Sequence, residues 1–279
     1  MLVINDAVAM RRFARTQRSG GRSVAFVPTM GALHDGHLEL VREARRLADD
    51  VVLSIFVNPL QFNVRSDFDK YPRDMAADAA LAAAAGVTVL YAPSADGMYP
   101  AGFDTTVHVE RTAAPLEGAG RPGHFDGVAT VVCKLLNAVE PDFALFGRKD
   151  YQQLAVVTRM ARDLDMGVEI IGVDTVREPD GLAMSSRNVR LTAEQRKQAP
   201  AIHDALSRAR ESLNRGLTPG EVRRAFTEQL DAVPGARVEY VSVADAGTLE
   251  ELESLDGPAV ISCAVWFGDV RLIDNVPAP

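Results

Sequence analysis

The sequence predicts an α/β protein: a Rossmann-type, mostly parallel sheet with helices on both faces, then a smaller α+β C-terminal domain. Three observations predict it. Short, near-continuous apolar runs, chiefly SVAFVP at 23–28 and VVLSIFV at 51–57, read as strands buried on both faces. Segments of helical periodicity separate those runs, as parallel neighbours require. Beyond about residue 176 the alternation stops.

The elements follow in order. Gly36 to Ala48 places Leu38, Val41, Ala44 and Ala48 on one helical face. Tyr71 to Ala85 is an alanine-rich helix stopped by Gly86 at a C-cap position, and Val87 to Ala92 follows as a strand. A helix over Asp126 to Val139 leads to a strand at Phe143 to Phe146. Another over Asp150 to Leu164 ends near Gly167, before a strand at Val168 to Val173. Arg177 to Asn188 is then a polar, turn-rich loop. Thr192 opens one long helix to about Asn214, with a box-like Thr192/Gln195 start. Thr218-Pro219 opens a helix to about Val233, and Val238 to Val243, Ala259 to Val265 and a short Arg271 to Ile273 read as strands. The expected domains are residues 1–175 and 176–279.

Composition narrows the class of partner. Hydrophobic residues make up 47% and charged residues 24% of 279 positions, ordinary values for a globular protein. The formal charge is −8 and basic residues cluster no further than pairs such as Arg11-Arg12, Arg45-Arg46 and Arg223-Arg224, so nucleic acids meet net repulsion. Small-molecule substrates are favoured. No apolar run approaches the ~20 residues of a membrane span. Met1 to Met10 carries Asp6 and lacks a basic segment followed by a long apolar one, so no secretory leader is expected. Cys133 and Cys263 lie in apolar surroundings without metal-type spacing and read as reduced core thiols. These features fit a cytoplasmic protein. His108 and His203 read as ordinary surface or core residues, and Trp266 as core.

The most informative stretch is FVPTMGALHDGHLEL, Phe26 to Leu40. A buried strand ends at Pro28, and a turn through Thr29, Met30 and Gly31 leads by Ala32 and Leu33 to His34-Asp35-Gly36-His37 and a helix. Two histidines three apart at a helix start project the same way, and the helix N-terminus offers N–H groups and positive potential to an anion. Gly36 lets a base or phosphate approach the backbone. A two-histidine metal site and a purely structural turn are the alternatives, although HxxH has no obvious third ligand nearby.

Two further segments suit phosphates. Gly147, Arg148, Lys149 and Asp150 follow a strand and start a helix, with Gln153 one turn along. Met184, Ser185, Ser186 and Arg187 put two hydroxyls and a guanidinium in the inter-domain loop. Solvated charges and an ordinary surface loop are the plainer readings of each.

The His34-x-Gly36-His37 arrangement resembles the HxGH signature of the nucleotidylyltransferase superfamily. PTMGALHDGH (28–37), SIFVNPLQF (54–62), YPR (71–73), RPGHFDGVATVV (121–132), FGRKDYQQ (146–153), SSRN (185–188) and RLIDN (271–275) together resemble the pantothenate synthetase family, in that family's order. The resemblance implies joining (R)-pantoate to β-alanine through a pantoyl-adenylate, releasing AMP and pyrophosphate, with ATP as co-substrate and Mg²⁺ accompanying it. It also implies a homodimer whose C-terminal domain acts as a lid. By position it gives Met30, Gly31, Ala32, Leu33, His34, Gly36 and His37 to ATP and the reacting carboxylate, with His37 as proton donor. It gives Gly147, Arg148, Lys149 and Asp150 to ribose and phosphates, Val176 to adenine, and Met184 to Arg187 to the triphosphate. Gln61 and Gln153, beside Met30, would hold pantoate. Asn58, Arg121 and His124 are candidates for the β-alanine carboxylate. One stretch departs from the family pattern: Asn63-Val64-Arg65-Ser66-Asp67 lacks the usual Gly and Glu-Asp pair, which leaves any role at that loop tip open, metal contact included.

The expected chemistry is in-line attack of the pantoate carboxylate on the α-phosphorus. Lys149, Arg187, His34, His37 and Mg²⁺ are the groups available to stabilise the developing charge. A nucleotidylyltransferase that stops at a nucleotide-linked product, and a non-enzymatic nucleotide sensor, share the same motif logic.

Overall fold

The computed structural model describes residues 1–63 and 68–278, so positions 64–67 of the departing loop lie outside the described residues. Two compact units are present: Met1–Arg148 with Gln153–Asp174, and Lys149–Gln152 with Thr175–Pro279.

The first unit is built on β1 (Leu2–Ile4), β2 (Val24–Thr29), β3 (Asp50–Ile55), β4 (Val89–Tyr91), β5 (Phe143–Gly147) and β6 (Glu169–Val173). Their order is β1-β4-β3-β2-β5-β6, with every pair parallel. The helices between them are α1 (Ala7–Ser19), α2 (Asp35–Leu47), α3 (Met75–Ala85), the short α4 (Ala95–Met98) and α5 (Glu117–Gly120), α6 (His124–Val139) and α7 (Tyr151–Asp163). β2 shows why its apolar run is unbroken. Val24 and Phe26 join one core with Met10, Val128 and Leu135, while Ala25 and Val27 join another with Leu40, Val41 and Ala82. Side chains alternate faces, and both faces are covered.

Chain order reverses at β2: β3, β4 and β1 lie to one side, β5 and β6 to the other. The crevice outside the carboxyl ends of β2 and β5 is therefore the switch point at which open α/β sheets bind ligands.

β1 and α1 add to the elements expected from sequence. Asp6 caps α1 by accepting the Ala9 N–H at 2.8 Å, and only Met10 and Ala14 of the helix are buried. Two apolar residues four apart in an arginine-rich segment give a weak periodic signal. The helix expected from Tyr71 begins at Met75, because Asp74 accepts the Ala77 N–H at 3.0 Å.

The second unit packs α8 (Ala193–Gln198), α9 (Ala201–Asn214) and α10 (Pro219–Asp231) with β7 (Ala236–Asp245), β8 (Ala259–Phe267) and β9 (Val270–Ala278). Its sheet is antiparallel in the order β7-β8-β9, and Ile202, Leu206, Phe226, Leu230, Ile261 and Phe267 form its core. The single helix expected from Thr192 to Asn214 is two helices. Pro200 lacks the N–H that would bond the Arg196 carbonyl, so α8 stops at Gln198 and α9 starts at Ala201. The Thr192/Gln195 capping box is present. The short strand expected at Arg271 to Ile273 extends over Val270–Ala278, paired with β8 throughout. Trp266 is half-buried rather than core. It alternates to the face opposite Val265 and Phe267, donates through Nε1 to Glu239, and lies 5.4 Å from the Arg237 guanidinium. Cys263 is buried and Cys133 half-buried.

His203 on α9 packs against Gly181, and its buried Nδ1 has no hydrogen-bond partner among the described residues. Burial first, then the Arg177 charge, holds its pKa below the ordinary value. The unfolded chain therefore binds the proton more readily, so the contribution is present above about pH 6.5 and is lost as pH falls through the lower folded value. Melting temperature should drop over that acid range, and His203→Gln should flatten the drop. An identical pH profile in the variant would refute the assignment.

Candidate active site

The turn after β2 is made by positive φ values of 84° at Gly31 and 51° at Ala32. A Cβ on Gly31 would stand 2.8 Å from Asp78 Oδ2, so both conformation and space require glycine there. Thr29 Oγ1 donates to the Ser54 carbonyl at 2.7 Å and accepts the Gly31 N–H at 3.1 Å. Asp78 on α3, 5% exposed, accepts the Ala32 N–H at 2.9 Å and the Leu33 N–H at 2.8 Å. Those two amides are thus held by a protein carboxylate. Sequence reasoning missed Asp78, whose only signal is an acid inside an alanine-rich helix.

His34 is the N-cap of α2. Its Nδ1 accepts the Gly36 N–H at 3.1 Å, while the His37 Nδ1 faces the His34 N–H at 3.4 Å. A backbone N–H can only donate, so each Nδ1 is unprotonated and each neutral ring carries its proton on Nε2. The ring centroids lie 4.1 Å apart. The helix start therefore holds two imidazole N–H donors side by side, at the carboxyl end of the central strand.

Asn58, Gln61 and Met30 form a connected set. Asn58 is fully buried and donates from Nδ2 to Gln61 Oε1 and to the Gly127 carbonyl, both at 3.0 Å. Its Oδ1 accepts from the Leu60 N–H at 3.3 Å and the Tyr99 hydroxyl at 2.8 Å. Gln61 Nε2 donates to the Met30 Sδ at 3.1 Å. Gly127 permits this packing, since a Cβ there would stand 2.5 Å from the Leu60 carbonyl. Arg121 and His124 gather on the Gln61 backbone. His124 Nδ1 lies 2.8 Å, and Arg121 Nη2 3.2 Å, from the Gln61 carbonyl oxygen, and Arg121 Nη1 lies 3.1 Å from His124 Nε2. A carbonyl only accepts and a guanidinium only donates, so His124 is neutral with its proton on Nδ1. Both of its ring nitrogens have protein partners.

Gly147 ends β5, and Arg148 pairs with Asp174 at 3.2 Å. Gln153 lies half-buried in the first turn of α7. Lys149 and Asp150 belong to the second unit, with Lys149 Nζ 3.8 Å from Asp150 Oδ2 and the Lys149 carbonyl accepting from Asn275 Nδ2 at 2.8 Å.

The loop at 176–188 is also in the second unit and is tied at several points. Met184 N–H donates to the Val176 carbonyl at 2.9 Å, and Ser185 Oγ accepts the Arg187 N–H at 3.2 Å. Arg177 makes a two-pronged pair with Asp274 at 2.6 and 3.0 Å and donates to the Gly181 carbonyl at 3.1 Å. Ser185, Ser186 and Arg187 remain half-exposed.

Among the described residues no group of three or more His, Cys, Asp or Glu could hold a metal ion. Asp78, which holds the turn, has both oxygens on backbone N–H groups. Asp67, on the loop tip that departs from the family pattern, lies outside the described residues, and the described residues form no protein cage for Mg²⁺, an ion usually held by one or two carboxylates together with substrate phosphates.

A family model described as pantoate-beta-alanine ligase matches residues 2–277. The pantothenate synthetase of Heliobacterium modesticaldum is 52% identical, covering 99% of both chains. That of Pelotomaculum thermopropionicum is 51% identical, over 99% of this chain and 98% of its own. Among solved structures, pantothenate synthetase from Thermus thermophilus aligns with a TM-score of 0.92 at 48% identity over 99% of each chain. Pantoate-beta-alanine ligase from Francisella tularensis, complexed with beta-gamma ATP and β-alanine, aligns with a TM-score of 0.80 at 34% identity, over 99% of this chain and 97% of its own.

Proposed function

The chain belongs to the pantoate–β-alanine ligase family, and on that premise we propose how its residues divide the work of the ATP-dependent ligation of pantoate to β-alanine. The pantoate carboxylate attacks the α-phosphorus of ATP and expels pyrophosphate. The amine of β-alanine then attacks the acyl carbon of the adenylate and expels AMP. The substrate is its own nucleophile, so the protein's task is to position reactants and stabilise charge.

The observation that carries this reading is the His34–His37 pair at the start of α2, whose Nε2–H donors stand at the sheet's switch point. Donors of that kind suit phosphoryl oxygens gaining negative charge. Lys149 and Arg187 add cationic charge by family position, and Gly147, Arg148, Asp150, Val176, Met184, Ser185 and Ser186 are assigned to the nucleotide in the same way. Gln61, Gln153 and Met30 are assigned to pantoate. The Ala32 and Leu33 amides serve ATP indirectly, by shaping the turn through Asp78. Asn58 and His124 support Gln61, and Arg121, which also reaches its carbonyl, is the remaining candidate for the β-alanine carboxylate. No helix among the described residues is long and apolar enough to cross a membrane. A cytoplasmic homodimer is the assembly this reading carries forward, and sedimentation in solution tests its stoichiometry.

The test of the reaction is mass detection of an acyl-adenylate when ATP and pantoate are mixed and the amine is withheld. ATP–pyrophosphate exchange should depend on pantoate and not on β-alanine. Exchange driven by phosphopantetheine instead would make the protein a nucleotidylyltransferase, and binding without turnover would make it a sensor. His34→Ala, His37→Ala and Lys149→Ala should each slow adenylation by about 10²–10³, the size expected for one preorganised donor to developing charge. Rates within a few-fold of the parent would remove these residues from the mechanism.

A further inference from the structure

Gln61 is assigned to pantoate above, and the inference here rests on that reading. The structure decides which end of the Gln61 amide is available, and it does so without appeal to the amide's own orientation. The Leu60 backbone N–H lies 3.3 Å from one end of the Asn58 amide, and a backbone N–H only donates, so that end is oxygen. The Gly127 carbonyl lies 3.0 Å from the other end, and a carbonyl only accepts, so that end is nitrogen. Asn58 Nδ2 therefore donates to Gln61 across 3.0 Å, and Gln61 must turn its oxygen toward Asn58. What is left is Gln61 Nε2. Its partner, the Met30 thioether at 3.1 Å, is a weak acceptor for an amide in a residue only 8% exposed.

Tyr99 completes the chain of direction. Its hydroxyl is 2.8 Å from Asn58 Oδ1, which as an acceptor needs the phenol as donor. Burial pushes the phenol's pKa upward, so it keeps its proton. The ring is held edge-on to Phe103 at 5.0 Å and tilted against Phe56 at 6.1 Å, which fixes where the hydroxyl sits. Loss of that hydroxyl leaves the Leu60 N–H, at a long 3.3 Å, to hold the Asn58 oxygen.

We propose that Tyr99 is a positioning residue for pantoate: through Asn58 it presets Gln61 as a hydrogen-bond donor, so the site reads an oxygen of the hydroxy acid that accepts. The chemistry fits the substrate. A carboxylate or an ether-like hydroxyl lone pair rewards an N–H donor, and a neutral amide adds no charge beside a carboxylate.

Steady-state kinetics and calorimetric pantoate binding on Tyr99→Phe, Gln61→Ala and Gln61→Glu test this. Tyr99→Phe should raise the KM for pantoate about three- to tenfold, the worth of one hydrogen bond, while the KM for ATP stays within twofold and kcat falls less than KM rises. A merely structural role for Tyr99 would shift both substrates together. Gln61→Glu keeps an oxygen for Asn58 but replaces the donor with an acceptor, so it should bind pantoate no better than Gln61→Ala, roughly tenfold or more below the parent. Parent-like pantoate binding by Gln61→Glu would overturn the inference, as would an unmoved pantoate KM in Tyr99→Phe. Parent-like binding by Gln61→Ala would instead bring down the assignment of Gln61 to pantoate, so the two failures are told apart. Should Tyr99→Phe not fold, the Gln61 pair decides alone.

Discussion

Asp78→Ala should destabilise the first unit by about 2–6 kcal/mol, at roughly 1–3 kcal/mol for each of two orphaned N–H groups. It should also take adenylation down with it. The carboxylate holds the Ala32 and Leu33 amides at 2.9 and 2.8 Å, where the backbone has just passed through two positive φ values. An alanine at 32 in the left-handed region costs energy that only surrounding contacts recover. Without Asp78 the turn loses two of the hydrogen bonds that hold it, leaving Thr29 on the Gly31 N–H, and His34 and His37 follow it directly in the chain. Asp78→Asn should recover little, because one of its two ends becomes a donor facing a donor. Urea denaturation gives the stability change, and pantoate-dependent pyrophosphate exchange gives the adenylation rate. A variant as stable as the parent that exchanges within threefold would show the turn to be self-supporting.

Arg177→Ala should cost about 3–5 kcal/mol in the second unit, the usual penalty for leaving a buried charge without its partner. Asp274 is 3% exposed at its side chain, and the Arg177 guanidinium meets it with two nitrogens while also donating to the Gly181 carbonyl. Arg177 thereby ties the loop carrying Val176 and Met184 to β9. Loss of the guanidinium should raise the ATP requirement as well as lower the denaturation midpoint. The paired change Arg177→Met with Asp274→Leu should return much of the stability, since apolar replacement of both partners removes the stranded charge. It should not return the ATP requirement, because the Gly181 tie is still missing. A single variant within 1 kcal/mol of the parent would mean that water reaches Asp274 in the folded state.

The sequence by itself determined the elements whose signal is local. β2 and β3 read as buried strands because each residue on either face meets a helix layer. α2 reads as a helix from the spacing of Val41 and Ala44, and the proposal of an anion site at the histidine turn starts from its residue types. The family resemblance across seven segments was legible for the same reason: each is a short run. Where chain chemistry acts at one residue, such as Pro200 dividing α8 from α9, the information is also local and was simply outweighed by the surrounding helical periodicity.

Only tertiary structure decided which residues hold the site in place. Asp78 lies more than forty positions from the amides it binds, and nothing around it in an alanine-rich helix distinguishes a caught carboxylate from a solvated one. Tyr99 and Gly127 reach Asn58 across 41 and 69 positions, and Arg177 reaches Asp274 across 97. Arg121 and His124 read as ligand groups by type, yet both make hydrogen bonds to the backbone of Gln61. Residue type tells what a side chain can donate or accept. Which partner uses that capacity depends on which strands and helices the fold brings together, and pairings at long sequence separation leave no periodic trace in the chain.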